Sequence, residues 1–259
     1  MQRLLFLTAL TTLLTSPLFS LFMGNPAEPQ IIDRGFWLSE DVLVDVKLGY
    51  LGDRVADRKM RANGHARSRI DKMALSFDQA VVTLNYMDRL ELYGSLGSMN
   101  GELCNRPHSD NKRRQYQTHD GWTAGGGGKF LLAAWGNTTI GIDGKVQWGV
   151  PGMKWETVDG QSSNVGGRLR YFEWQVSFAL SYTAEWLTPY IGAKYSNVHA
   201  TVSKIPKVVY KHAHFTMTNR DRFGLAVGFN LSPGKKFDVF AEVQLIDEQA
   251  ISFGGNMKF

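Results

Sequence analysis

The chain has 259 residues, 29 basic against 24 acidic side chains for a formal net charge of +5, and 43% hydrophobic residues at a mean hydropathy of −0.23. No window past the first twenty residues holds the roughly 18 uninterrupted apolar residues of a membrane helix, so a helical bundle in lipid is excluded. The charge excess is too mild to call for a nucleic-acid partner, and the single Cys104 excludes an intramolecular disulfide framework.

Residues 1–20, MQRLLFLTALTTLLTSPLFS, have the three parts of a secretory signal peptide. Arg3 comes first, then an apolar run from Leu4 to Leu14, then Pro17 and small Ser20, with Ser20/Leu21 the expected junction. Residues 21–40 are expected to form a periplasmic N-terminal segment, and residues 41–259 a single domain. An exported chain without membrane helices is either soluble or a closed β-barrel.

From residue 42 onward, large apolar groups recur at every second position, the period of a strand with one oily face. Val42, Val44, Val46 and Leu48 come first, then a segment near 70–86, then Leu90, Leu92, Gly94 and Leu96. A segment near 121–134 is followed by Ile140, Ile142, Gly144, Val146 and Trp148, and by Phe172, Trp174, Val176, Phe178, Leu180 and Tyr182. A segment near 188–202 precedes Phe223, Leu225, Val227, Phe229 and Leu231, then Phe237 to Leu245, and finally Ile251, Phe253, Gly255, Met257 and Phe259. This predicts about ten strands, the even count of a bacterial antiparallel up-and-down barrel. The connections alternate between short (86–89, 136–137, 183–186, 232–235) and long (55–68, 102–119, 150–168, 203–220), as periplasmic turns and outer loops do. A switch of apolar parity near Asp78 to Ala80 predicts a bulge, and KVVYKHAHFTMTN is read as the extension of a neighbouring strand.

The opposite parity carries Lys47, Lys129, Lys145, Lys194, Arg222 and Lys258 against Asp45, Glu91, Asp143, Glu173, Asp238 and Glu242, with Gln175 among them. Six charges of each sign predict a wet, nearly neutral lining that passes small hydrophilic solutes with weak selectivity. The oily parity, Phe172 to Leu180 and Phe223 to Phe229 among it, is nearly free of charge, as contact with outer-membrane lipid requires. Tyr50, Trp135, Trp148, Trp186 and Tyr195 fall near strand ends, where aromatic girdles form. The chain stops on Phe259, the kind of terminal aromatic that barrel-assembly machinery reads. Small closed barrels fill with their own side chains, so a structural or adhesive surface barrel with little pore activity stands as the alternative.

TAGGGGKF (Thr123 to Phe130) lacks the first Gly and the Ser or Thr of a phosphate loop, and its glycines suit a sharply bending strand. His212 and His214 share a face, but no third ligand stands near, and neither metal nor cofactor is expected. The long loops carry a basic patch, Arg58, Lys59 and Arg61 with Arg113 and Arg114, which suits the phosphates of lipopolysaccharide. An outer-membrane protease would need paired carboxylates and a His–Asp pair at the rim. The spacing identifies neither, and no enzymatic activity is expected.

Several blocks resemble the major outer membrane protein family of chlamydiae: GNPAEP (Gly24 to Pro29), TLNYMDRLELYGSLGSMNG (Thr83 to Gly101), EWQVSFALSYTAEWLTPYIGAKYS (Glu173 to Ser196) and the closing LIDEQAISFGGNMKF. The resemblance runs from end to end of the mature chain and leaves the loops unmatched. It implies an outer-membrane porin, usually a homotrimer, with a structural role in the envelope. This chain is shorter than typical members and has one cysteine where pathogenic members have several, which puts their strand number and disulfide-linked network in doubt.

Overall fold

The computed structural model describes residues 22–32, 43–63, 68–107, 112–164, 166–204, 214–233 and 236–259. Among the described residues one helical turn, α1 (Glu28–Ile31), precedes fifteen strands. These are β1 (Val44–Arg58), β2 (Met60–Asn63), β3 (Ser68–Tyr86), β4 (Leu90–Pro107), β5 (Arg114–Thr118), β6 (Gly121–Trp135), β7 (Thr138–Gly149), β8 (Met153–Val158), β9 (Gln161–Asn164), β10 (Arg168–Tyr182), β11 (Leu187–Ser203), β12 (His214–Asn219), β13 (Phe223–Leu231), β14 (Phe237–Leu245) and β15 (Glu248–Lys258). Ten of them, β1, β3, β4, β6, β7, β10, β11, β13, β14 and β15, pair antiparallel in chain order, and β15 returns to β1 from Lys47↔Lys258 to Arg58↔Glu248. The ladder is therefore closed and leaves no edge in the barrel wall, the condition for sheet to stand in lipid.

One end carries tight turns. Met87 and Asp88, between β3 and β4, both take positive φ (51° and 53°), the mirror-image turn that matches the twist of a hairpin. At the other end the connections form strands that prolong the wall. β5 continues the line of β6 along β4, and β8 continues that of β7. β12 continues β13 along β11 past a break at 220–222. KVVYKHAHFTMTN is thus an extension of β13 over 214–219, while its first residues, His212 included, lie outside the described ones.

Of the ten wall strands, only β14 and β15 are joined at this end by a two-residue turn, Ile246–Asp247. Beyond it β2 pairs directly with β12, Arg61 opposite Thr218 and Met60 opposite Asn219. The wall above that turn is carried by fewer strands, and a cylinder with fewer strands is narrower and fills with its own side chains. The main apolar core sits there, inside the barrel: Met60, Met73, Phe77, Met99, Leu103, Tyr116, Met153, Tyr171, Val198, Phe215 and Met217 among its members.

That core explains the parity switch in β3, which is not a bulge. β3 keeps unbroken register with β1 from Leu75 to Tyr86, and its irregularity with β4 lies at Ile70/Lys72 instead. From Met73 to Asn85, past that irregularity, odd-numbered residues face inward. Met73, Leu75 and Phe77 are apolar because they enter the core, and Gln79, Thr83 and Asn85 are polar because the interior below it is charged. The outward face changes in the opposite sense, from Ser76 and Asp78 to the exposed Val82, Leu84 and Tyr86.

Candidate functional site

The interior between the tight-turn end and the apolar core is a ladder of charged groups built on inward-facing strand positions. Asp45, Lys47, Glu91, Lys129, Asp143, Glu173, Gln175, Lys194, Asp238, Glu242 and Lys258 are buried there, and Lys145 is half-buried. Phe172, Trp174, Val176, Phe178, Leu180, Phe223, Leu225, Val227 and Phe229 alternate with buried neighbours on β10 and β13 and face outward. Arg222 does not join the lining. It is exposed on the outer wall, its Nη1 donating to the Tyr195 hydroxyl at 3.0 Å, because it precedes β13 at the break where the line of β12 ends.

The segment expected on the periplasmic side lies instead inside the barrel, over its described residues 22–32. The Glu242 carboxylate accepts the amides of Met23 (2.7 Å) and Gly24 (3.0 Å), together with the Tyr190 hydroxyl (2.6 Å). Asp53 accepts the Phe22 amide at 3.2 Å, and the Phe22 ring stacks on Phe240 with centroids 4.3 Å apart. Asn25 donates to the Thr188 carbonyl and to Asn230, each at 3.0 Å. Glu28 pairs with Lys129, while the Glu28 carbonyl accepts Lys47 Nζ at 2.8 Å. Asn85 and Lys258 hold the carbonyls of Pro29 and Ile32. Gly24 takes a φ of +88°, and a Cβ there would stand 2.7 Å from Lys129 Nζ, so this position needs glycine.

Beside this plug a small cavity of about 60 Å³ is lined by Phe22, Gln79, Tyr93, Lys145 and Gln147, among others. Lys145 Nζ lies 5.4 Å over the Phe22 ring, and Asp143 accepts the Tyr93 hydroxyl at 2.9 Å. Lower down, Lys47–Glu91 (2.5 Å) and Lys258–Asp45 (2.6 Å) are buried ion pairs. The lining is therefore near-neutral by pairing, and it surrounds a filled interior rather than an open bore.

At the level where the chain passes from β1, paired with β15, to β2, paired with β12, Arg58 is almost wholly buried. Its Nη1 lies 2.7 Å from Glu173 and 2.5 Å from the Tyr171 hydroxyl, and its Nε donates to Glu248 at 2.5 Å. Lys194 joins through Glu248 and Asp247. In the β14–β15 turn, burial and the neighbouring Glu248 push the Asp247 carboxyl up to about 6, against the pull of Lys194. Arg58 thus corrects the expected surface patch. Lys59 (3.4 Å from Asp221) and Arg61 stay exposed, while Arg113 is exposed near Cys104, and Arg114 pairs with Glu156 at 3.5 Å on β5. No sequence pattern marks Arg58, the plug or the apolar core as interior. The signal available for the core is a switch of apolar parity, in β3 and again in β11, where it passes from Ile191 and Tyr195 to Val198, Ala200 and Val202.

The model of the family described as the Chlamydia major outer membrane protein matches residues 151–215, which contain the β10–β11 hairpin. The major outer membrane porin of Chlamydia psittaci is 28% identical over 127 residues, 35% of this chain and 32% of that protein. The serovar A porin of Chlamydia trachomatis is 29% identical over 128 residues, so the chain spans about a third (32%) of such relatives. Against the serovar F porin of Chlamydia trachomatis the match is 20% identical over 94% of this chain and 96% of that protein. Among solved structures, the outer membrane protease OmpT from Escherichia coli aligns with 83% of this chain and 93% of its own at a TM-score of 0.43 and 11% identity. The outer membrane protein OprG from Pseudomonas aeruginosa covers 83% and 95% at 0.37 and 11%. The chain is a closed outer-membrane β-barrel whose sequence is similar to the major outer membrane protein of chlamydiae.

Proposed function

We propose that this barrel is a porin of low conductance that passes small hydrophilic solutes when residues 22–32 leave the lumen. The observation that carries the reading is the pairing of a closed wall, oily outside, with an interior ladder of both charge signs, which attracts neither anions nor cations strongly. The named porins among its relatives support it. The same proposal includes insertion by the barrel-assembly machinery through the terminal Phe259, assembly as a homotrimer and a structural place in the envelope, and it assigns the chain no chemical step. Planar-bilayer recording tests it. The full chain should give small, infrequent steps, and Glu242→Gln, which weakens the hold on the Met23 and Gly24 amides, should raise the open probability several-fold. The filled outer half of the interior favours a second reading, a structural barrel with little conductance. Silence from both correctly folded proteins would select it.

A further inference from the structure

The outer wall is not evenly charged. Two stretches of the sequence contain no Asp or Glu, Arg58 to Ile70 and Trp186 to Arg220, and the β2–β12 pairing joins them on one flank of the barrel. On β10, at the edge of that flank, the outward parity runs from Leu180 through Val176 and Phe172 and then changes to Arg170 and Arg168, both exposed. Each two-residue step rises about 7 Å along a strand, so these guanidinium groups stand directly above the aromatic row. That row is well defined: Trp148 lies 5.9 Å from Phe172, Trp174 lies 5.6 Å from Tyr195, and Tyr195 lies 5.1 Å from Phe223. Register places Trp148, Phe172, His199, Thr218 and Arg61 in one line across five strands, with Arg222 donating to Tyr195 at its lower edge.

Aromatic side chains of this kind settle where hydrocarbon meets headgroups. The arginines above them therefore face sideways into the headgroup layer of the outer leaflet. Among the described residues Arg61, Arg168, Arg170 and Arg222 have no carboxylate partner; the one acid on this flank, Asp221, is shared by Lys59 (3.4 Å) and Arg220 (3.8 Å). Elsewhere on the outer wall most cations have a carboxylate, Arg54 with Asp78, Arg69 and Arg106 with Asp71, Lys72 with Glu102 and Lys112 with Asp159, while Arg113 lies on the Cys104 thiol and Lys154 on the Trp155 ring.

We propose that this flank binds the phosphorylated headgroup of an outer-leaflet glycolipid of the lipid A type, with Arg168, Arg170, Arg222 and Arg61 holding the phosphates. Guanidinium groups bind phosphate oxygens in pairs of charge-assisted hydrogen bonds. A lipid fits better than a soluble polyanion because the cations border the apolar wall that acyl chains cover, rather than crowning the loops. The inference rests on the outer-membrane placement and not on conduction.

The test is competition against a fluorescent lipid A by the folded chain in nonionic detergent. Diphosphoryl lipid A should bind at least about tenfold more tightly than phosphatidylcholine, and the triple variant Arg168→Gln/Arg170→Gln/Arg222→Gln should lose about tenfold or more of that affinity. The control Lys72→Gln/Lys112→Gln/Lys154→Gln should lose none. Heat-modifiable migration on gels reports folding, and Arg170→Gln alone, expected to lose several-fold, is read if the triple variant does not fold. An unchanged affinity in the arginine variants overturns the proposal, as does displacement of lipid A by soluble heparin at equal anionic charge. Unaltered bilayer conductance in the triple variant would leave the pore reading standing whichever way the lipid result falls.

Discussion

Arg58 shows how a charge is read wrongly from its neighbours in sequence. It lies in a run with Lys59, Arg61, Arg67 and Arg69 that looks like a solvated loop, yet its main partner, Glu248, is 190 positions away. Only closure of β15 on β1 brings the two together, Arg58 opposite Glu248 in register. Side-chain exposure there is 2% for Arg58 and 0% for both Glu173 and Glu248. Removing one partner of such a group leaves a buried charge uncompensated, which costs about 3–5 kcal/mol. Arg58→Met should therefore lower the unfolding free energy of the detergent-folded barrel, measured in urea, by an amount in that range, and a second change, Glu248→Gln, should restore part of it. Failure of the double variant to recover anything would show that Arg58 acts by filling space and not by its charge. Arg222 errs in the other direction: the parity count puts it inside, but a one-residue shift in register across the break at 220–222 turns it out.

At the scale of elements, the period-two pattern made the strands legible because it is local: β10 needs only its own fifteen residues to declare which face is oily. The interior is harder, since apolar can mean facing lipid or facing a dry core, and nothing local separates the two. β3 contains both meanings, which is why its switch mimics a bulge. The two accounts differ in a measurable way. Phe77 points into the core, its ring 5.8 Å from Tyr171, so Phe77→Ala should destabilise the folded barrel by about 3–5 kcal/mol. Ala80 is exposed on the outer wall, so Ala80→Leu should be close to neutral. A bulge at 78–80 would reverse the ranking, and urea melts of the two variants decide between them. Residues 22–32 escaped altogether for a related reason. GNPAEP has no period to read, and its seat depends on Glu242, Asn230, Lys129 and Lys47 from five separate regions of the chain, counting its own.

For the whole molecule, the distinction that matters is between the wall and its contents. The wall is a ten-strand ladder closed by β15 on β1, and no pairing in it involves residues 22–32. The contents are held by side chains: Glu242 and Asp53 accept amides of the segment, Asn85 and Lys258 donate to its carbonyls, and Glu28 pairs with Lys129. A segment held only this way opens locally at a free-energy cost below that of unfolding the barrel. Deleting residues 22–32 should therefore leave a barrel that still folds and shows heat-modifiable migration, with water in place of the plug. Thr188 gives the reporter, being 3% exposed, with its carbonyl accepting Asn25 Nδ2 at 3.0 Å. In a Cys104→Ser background, Thr188→Cys should react slowly with a membrane-impermeant maleimide in the full chain. It should react at least about tenfold faster after the deletion, since a tenfold rate corresponds to only about 1.4 kcal/mol of lost protection. Equal rates in the two proteins would mean that the segment leaves the lumen freely in solution, and that among the described residues the apolar core around Phe77, Tyr171 and Met217 is what remains to close the barrel.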